Sequence, residues 1–320
     1  GTVRPESDRL ARMNVAEVLS GARSWAVECG DCVDLMRTLP DASIDAIVSD
    51  PIYPEIDRHY GRISEADWHV LMRAVVAEAR RVLKPSGSAV FILQPNSERV
   101  GRMRPWLWEF MAWTAREWNQ VQDAWWWNFS APPTVHCQRT RGLMRPSTKA
   151  CVWLGEPDCW RDQGAVLWQQ SEANAAYDRC DRALEYRPSG GSQRRGRMAA
   201  VADERGGRVT PFNMIPIANA DSSRSAGSEG HGAGTPYALA AWWIRYICPP
   251  GGVVLDPFGG AGTMAEAARD QGRRCVLFEK DPESIPRCHA TMARTPRSMQ
   301  GPEMVSEKQL SIDALLTPAA

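Results

Sequence analysis

The chain has 320 residues, 43% of them hydrophobic and 24% charged, which is enough to bury a sizeable core and fits one large α/β domain with an insertion, or two small domains. Lysine and arginine (38) balance aspartate and glutamate (38), so there is no global basic signature and any claim for a nucleic-acid partner must rest on local clusters. No run approaches the roughly 18 apolar residues that would span a membrane, and the polar start GTVRPESDRLARMN carries no signal-peptide pattern; the expectation is a cytoplasmic protein with no membrane partner.

Residues 1–22 read as a polar, helix-like peripheral segment. Trp25 to Glu28 is a short apolar strand ending at Gly30-Asp31, and Val33 to Leu39 has helical spacing closed by Pro40. Ile44 to Ser49 (IDAIVS) is a second strand, apolar enough to be buried on both faces. Ser64 to Leu83 is an amphipathic helix capped by Ser64, with Leu71, Val75, Ala79 and Val82 at helical spacing. Lys84-Pro85-Ser86-Gly87 reads as a turn and Ala89 to Leu93 as a third buried strand. Strand, helix, strand in this order predicts a parallel sheet.

From 96 to 230 the regularity fades. Trp106 to Trp118 looks helical, Ala150 to Leu154 looks like a strand, and the Gly-, Ser- and Arg-rich stretch 188–230 reads as mobile loop. Many of the 14 tryptophans fall between Trp106 and Trp168; core packing with one wet edge is favoured for most of them over stacking on bases. Order returns with a helix over Tyr237 to Ile247, a strand over Gly252 to Leu255, a helix over Thr263 to Asp270, a strand over Arg274 to Phe278 and a helix over Asp281 to Arg294. The predicted organisation is two α/β blocks, 23–95 and 231–294, separated by an insert at 96–230 and followed by a tail at 295–320. Of the nine cysteines, Cys29 and Cys32 form the one C-x-x-C. With no second Cys/His pair the expectation is reduced thiols and no metal.

Ligands of open parallel sheets bind at the carboxyl ends of strands, and four predicted strand ends carry unusual residues. The run Asp256-Pro257-Phe258-Gly259-Gly260-Ala261-Gly262-Thr263 follows a buried strand and opens a helix. Its glycines let backbone pass close to a ligand, and Gly260, Gly262 and Ala265 fit G-x-G-x-x-A with Glu279 ending the next strand, placed to bond ribose hydroxyls. Asp50-Pro51-Ile52-Tyr53 sets a carboxylate and the Pro51 carbonyl beside an aromatic ring, an arrangement that suits a planar base with an amino group. Asp31 ends the first strand. The glycine pattern alone would also fit a nicotinamide-dependent oxidoreductase, a reading that leaves Asp50 to Tyr53 unexplained.

Taken together these motifs resemble the DNA amino-methyltransferases. VLDPFGGAGTMAEAA is similar to that family's methionine-binding motif, IVSDPIY to its catalytic D-P-P-Y, and VECGDCVDLMRTLPDASIDAIVSDP to the usual run-in. The catalytic motif precedes the cofactor motif, the permuted order of the beta group with its target-recognition region between. The resemblance implies a Rossmann-like α/β methyltransferase sheet in circularly permuted order, S-adenosylmethionine as cofactor and double-stranded DNA as partner. It assigns catalysis to Asp50, Pro51 and Tyr53, and cofactor binding to Asp31, Asp50, Asp256, Phe258, Gly260, Gly262, Thr263 and Glu279, with Asp31 near the adenine. His231 to Pro236 looks like the family's lead-in to the helix that closes over methionine. Asp at the first catalytic position leans towards adenine N6 over cytosine N4. Relatives of this group also point to a homodimer and to a cognate restriction enzyme. One departure is Ile52, where the family carries Pro; it leaves open a methyltransferase-like DNA-binding subunit with weakened turnover. In the insert, Arg139, Arg141, Arg145 and Lys149 form a basic run with no acid among them, the favoured DNA-binding cluster.

Overall fold

The computed structural model describes residues 14–57, 61–128, 130–131, 141–169, 208–219 and 234–297. A helix α1 (14–20) precedes strand β1 (Trp25–Cys29), helix α2 (Cys32–Met36), strand β2 (Ile44–Ser49), helix α3 (Glu65–Val82) and strand β3 (Leu83–Leu93). The insert then contributes β4 (Ser97–Arg99), β5 (Arg102–Met103), α4 (Trp106–Glu117), β6 (Gln120–Gln122), β7 (Trp125–Trp127), β8 (Thr148–Gly155), β9 (Trp168–Gln169), β10 (Arg208–Val209) and β11 (Met214–Pro216). The last block supplies α5 (Tyr237–Ile247), β12 (Val253–Asp256), α6 (Thr263–Asp270), β13 (Arg274–Glu279) and α7 (Ile285–Met292). None of the described helices is long and apolar enough to cross a membrane.

The main sheet has the order β1-β13-β12-β2-β3-β8-β7-β11, with β6 also pairing β8. Strands β1, β13, β12, β2 and β3 run parallel, β8 is antiparallel to β3, and β7 and β11 run parallel to each other. The late strands β12 and β13 therefore lie between the early strands β1 and β2. Strands β2, β12 and β13 are buried along most of their length, as strands covered on both faces require, whereas the edge strand β1 alternates buried and half-buried residues.

Helix α3 shows why the sequence folds as it does locally. Ser64 Oγ accepts from the Asp67 amide at 3.1 Å and caps the first turn. Trp68, Met72, Val75, Val76, Ala79 and Val82 make the buried stripe. The helix stops because Pro85 disfavours helical geometry at the residue before it. The predicted turn at 84–87 lies instead within β3: Leu83 pairs Ile44 and Ser88 pairs Ala46, so three extra residues bulge out between the two pairings.

The insert departs from expectation at a second place. Part of the stretch read as mobile loop, Met214–Pro216, is the edge strand β11, because Ile215 is buried and the Trp126 indole donates to the Ile217 carbonyl at 2.8 Å. Half of the 14 tryptophans are buried, Trp68, Trp106, Trp153 and Trp243 among the largest fully buried side chains; Trp113, Trp118 and Trp125 pack half-buried against the core, and Trp108 is exposed. By compactness, Gln163–Phe212 groups apart from the rest of the described residues. The described part of that smaller unit is the antiparallel β9–β10 pair, with Trp168 edge-on to Phe212.

Asp45 is a buried carboxylate inside β2 that accepts from the Val253 amide at 2.8 Å and from Lys84 Nζ at 2.8 Å. It ties the start of β12 to β2. Asp45→Ala strands the Val253 N–H in the core, and the expected loss is about 1–3 kcal/mol, read as a lower urea midpoint at unchanged slope. A midpoint equal to wild type would show that this tie contributes nothing.

Candidate active site

Because β1, β2, β12 and β13 are parallel, Asp31, Asp50, Asp256 and Glu279 come to one edge of the sheet. All four line one cavity of about 1020 Å³, together with Pro51, Tyr53, Phe258 and Gly260. It is thus lined by residues from both ends of the chain.

The turn after β2 is held from several sides. The Trp68 indole donates to the Ile52 carbonyl at 2.7 Å, and Asn96 Nδ2 donates to the Pro54 carbonyl at 2.7 Å while Asn96 Oδ1 accepts from the Trp106 indole at 2.9 Å. Ile52 is half-buried and packs on the core. These contacts fix the turn with Ile in the third position. The Tyr53 hydroxyl donates to Asp50 Oδ1, and Thr235 Oγ1 donates to Asp50 Oδ2 at 2.6 Å. Lys149 Nζ lies 2.9 Å from the Tyr53 hydroxyl oxygen and 3.4 Å from Asp50 Oδ2.

On the facing side, Asp256 is fully buried and accepts from Ser49 Oγ at 2.6 Å and from the Phe258 amide at 3.1 Å. Desolvation pushes its carboxyl up to about 7, against the lowering effect of those two hydrogen bonds. The chain then turns sharply. Gly260 and Gly262 hold φ of 51° and 86°, and a Cβ on Gly262 would approach the Cys288 Cα to 3.2 Å. Glu279 braces this turn, Oε2 accepting from the Gly260 amide at 2.7 Å and Oε1 from the Asp281 amide at 2.8 Å. Asp31 Oδ1 caps α2 through the Val33 amide at 3.0 Å, and its other oxygen lies 3.8 Å from the exposed Lys280 ammonium. Thr263 opens α6 and also lines the cavity.

The basic run divides. Lys149 is 8% exposed and points its ammonium at Asp50 and Tyr53, so its assignment to the DNA-facing cluster is corrected: a phosphate contact needs an accessible charge. Arg141 and Arg145 are exposed and bracket the exposed Leu143 and Met144. Arg139 and His231 lie outside the described residues. Thr235 was missed by sequence reasoning; it falls inside the H-x-x-x-x-P lead-in, but no local pattern gives its hydroxyl a partner in β2's turn. Cys29 is exposed and Cys32 buried, both thiols raised by desolvation first, Cys32 to about 12. Among the described residues no cluster of His, Cys, Asp or Glu could hold a metal ion.

Residues 44–288 match the family described as DNA methylase. The chain is 25% identical over 284 residues to the type II methyltransferase M.PvuII of Proteus hauseri, covering 80% of each protein. Among solved structures it is similar to the PvuII DNA methyltransferase described as cytosine-N4-specific, with a TM-score of 0.64 and 18% identity over 87% of this chain and 89% of that one. It is also similar to M1.HpyAVI in complex with SAM, with a TM-score of 0.52 and 15% identity over 84% and 100%.

Asp256 makes a prediction about stability. Between its ordinary value of 3.8 and about 7, the folded chain keeps a proton that the unfolded chain releases. Its contribution to stability is therefore full below pH 4 and is lost as pH rises through about 7. Asp256→Asn keeps the acceptor for Ser49 and cannot ionise. The stability of this variant relative to wild type is expected to improve from pH 5 to about pH 7 and to level off above it in urea unfolding; a constant difference would show that the carboxyl is already ionised at pH 5.

Proposed function

The chain belongs to the DNA methylase family of amino-methyltransferases, and on that premise we propose that it transfers a methyl group from S-adenosylmethionine to the exocyclic amino group of a base flipped out of duplex DNA, with adenine N6 as the preferred target. The observation that carries this reading is the meeting of Asp50, Pro51 and Tyr53 with Asp256, the Gly260–Gly262 turn and Glu279 around one cavity. The lean towards adenine rests on the aspartate at position 50. Cytosine N4 is the second reading, supported by the similarity to the cytosine-N4-specific PvuII enzyme.

The residues fit the cofactor. Gly260 lines the cavity and leaves room for close approach, while Gly262 lets the turn pack against Cys288. Glu279 uses one lone pair on each oxygen for backbone amides, which leaves two acceptor positions for ribose hydroxyls. Asp31 keeps one oxygen clear of its capping bond and would face the adenine, while the Asp256 segment with Phe258 and Thr263 would hold the methionine end. When bound, the cofactor supplies a methyl group on a sulfonium, already a good leaving group.

The protein's task is positioning and electrostatics. A base amino nitrogen is a poor nucleophile because its lone pair is delocalised into the ring. Asp50 Oδ1 and the Pro51 carbonyl would each accept one N–H, turning the lone pair out of the ring and towards the methyl group. As the N–C bond forms, the nitrogen's surplus proton passes to Asp50 and then to water. Tyr53 presents its ring to the flipped base. Arg141 and Arg145, exposed around Leu143 and Met144, would contact phosphates.

Incubation with unmethylated genomic DNA and S-adenosylmethionine, followed by nucleoside mass spectrometry, decides the product. N6-methyladenine supports the preferred target, N4-methylcytosine supports the second reading, and no methylated base despite cofactor binding rejects both. Asp50→Ala is expected to lower turnover ~10³-fold with the cofactor Kd within about threefold of wild type; wild-type turnover would remove Asp50 from the mechanism. Replacing Arg141 and Arg145 together by alanine is expected to reduce the slope of log K against log salt by about 1.8. An unchanged slope would place the phosphate contacts elsewhere.

A further inference from the structure

Among the described residues, Lys149 makes its polar side-chain contacts with the turn that carries Asp50 and Tyr53. It sits near the start of β8, and because β8 is antiparallel to β3, pairing Ala150 with Leu93, its first residues arrive at the edge where the parallel strands end. Trp126 is its cross-strand partner. The ammonium lies 5.2 Å from the Trp126 ring centroid and 5.3 Å from that of Tyr53, with hydrogen bonds to the Tyr53 hydroxyl and Asp50 Oδ2. Asp50 Oδ2 also accepts from Thr235, and Oδ1 accepts from Tyr53. A carboxylate offers about four lone-pair positions. Thr235 and Lys149 fill both on Oδ2 and Tyr53 fills one on Oδ1, so a single acceptor position remains. That is the number the proposed reaction needs from Asp50, since the other N–H goes to the Pro51 carbonyl.

We propose that Lys149 and Thr235 are positioning residues for methyl transfer: they saturate Oδ2 from behind, fix the plane of the Asp50 carboxylate and leave one Oδ1 lone pair for the base amino group. The chain of donors runs Lys149 to Tyr53 to Asp50, with Thr235 closing on the other oxygen, so the same clamp also fixes the Tyr53 ring. The proposal rests on the methyltransferase reading. A lysine kept for stability alone has a weaker rationale, because a buried ion pair is often replaceable by apolar side chains at little cost.

The test uses the full chain, unmethylated genomic DNA and tritiated S-adenosylmethionine. Lys149→Met keeps the methylenes between the two rings and removes the ammonium; Thr235→Val removes the other donor. Each is expected to lower kcat about 10- to 100-fold, with the KM for DNA, the cofactor Kd and the salt slope within about twofold of wild type. The double variant is expected to lose less than the product of the two single losses, because both act through Asp50. Wild-type kcat in Lys149→Met overturns the proposal. So does a loss confined to DNA affinity with a reduced salt slope, the mark of a phosphate contact, or a loss of cofactor binding in step with kcat, the mark of a purely structural role. If Lys149→Met does not fold, Thr235→Val decides by the same criteria. An inactive wild-type chain overturns the methyltransferase reading itself, whereas an active wild type with indifferent variants overturns the clamp alone.

Discussion

A 2.6 Å hydrogen bond from Ser49 to Asp256 joins residues 207 positions apart, and the geometry behind it underlies everything else in the site. It exists because the last α/β block inserts β12 and β13 between β1 and β2. Without that insertion the acids of the early strands would face one surface and those of the late strands another. With it, the turn after β2 and the glycine turn after β12 become neighbours, and the cavity between them is a product of strand order. Asp45 serves the same strand pair at its opposite end, where its carboxylate receives the Val253 amide. Permuted order in the sequence thus leaves no trace in the spatial arrangement of the ligand-binding edge, which depends on which strands lie side by side and not on which came first.

Four carboxyl groups share that edge, and each is managed differently. Asp256 is buried, and desolvation raises its carboxyl to about 7, so that it shares its time between neutral and ionised forms at neutral pH. Glu279 is braced by two backbone amides, and Asp31 by the first turn of α2. Asp50 is surrounded by three side-chain donors, Tyr53 from its own turn and Lys149 and Thr235 from two distant parts of the chain. Side chains of the same acid type therefore present distinct surfaces to a ligand: one hydrogen-bonded and apolar in its surroundings, two rigid acceptors, and one ion-paired acceptor with a single open position. Environment, not residue type, separates their tasks.

What could be read in the sequence follows the range of the interactions. The strand, turn and helix around Asp256 to Thr263, and the strand end at Asp50 to Tyr53, are set by contiguous residues, and both were legible as motifs. So were the buried strands, whose apolar runs need no partner to be recognised. The bulge at 84–87 was read as a turn because Pro85 and Gly87 signal one, and pairing on both sides of it is a property of β2. Lys149 was read as one more charge in a basic run because nothing local distinguishes a lysine facing phosphate from one facing a carboxylate; its position is decided by the antiparallel register of β8. Thr235 and the edge strand β11 were illegible for the same reason. Ile52 is a different case. The departure from Pro was visible, but the bonds from Trp68 and Asn96 that hold the turn come from a helix and a loop that no motif names.

The interleaved strand order also has a consequence on the ribosome. Between Ser49 and Val253 lie roughly 200 residues, which take about 10–40 s to emerge at ordinary elongation rates. For that interval β1 and β2 have no neighbour between them, and each offers an unsatisfied row of backbone amides and carbonyls beside apolar side chains, the kind of edge that invites pairing with another chain. The central sheet can close only after residue 279 has cleared the exit tunnel, so the birth of this protein is governed by its last strands, and the nascent chain is a natural client for whatever shields open strand edges in the cell.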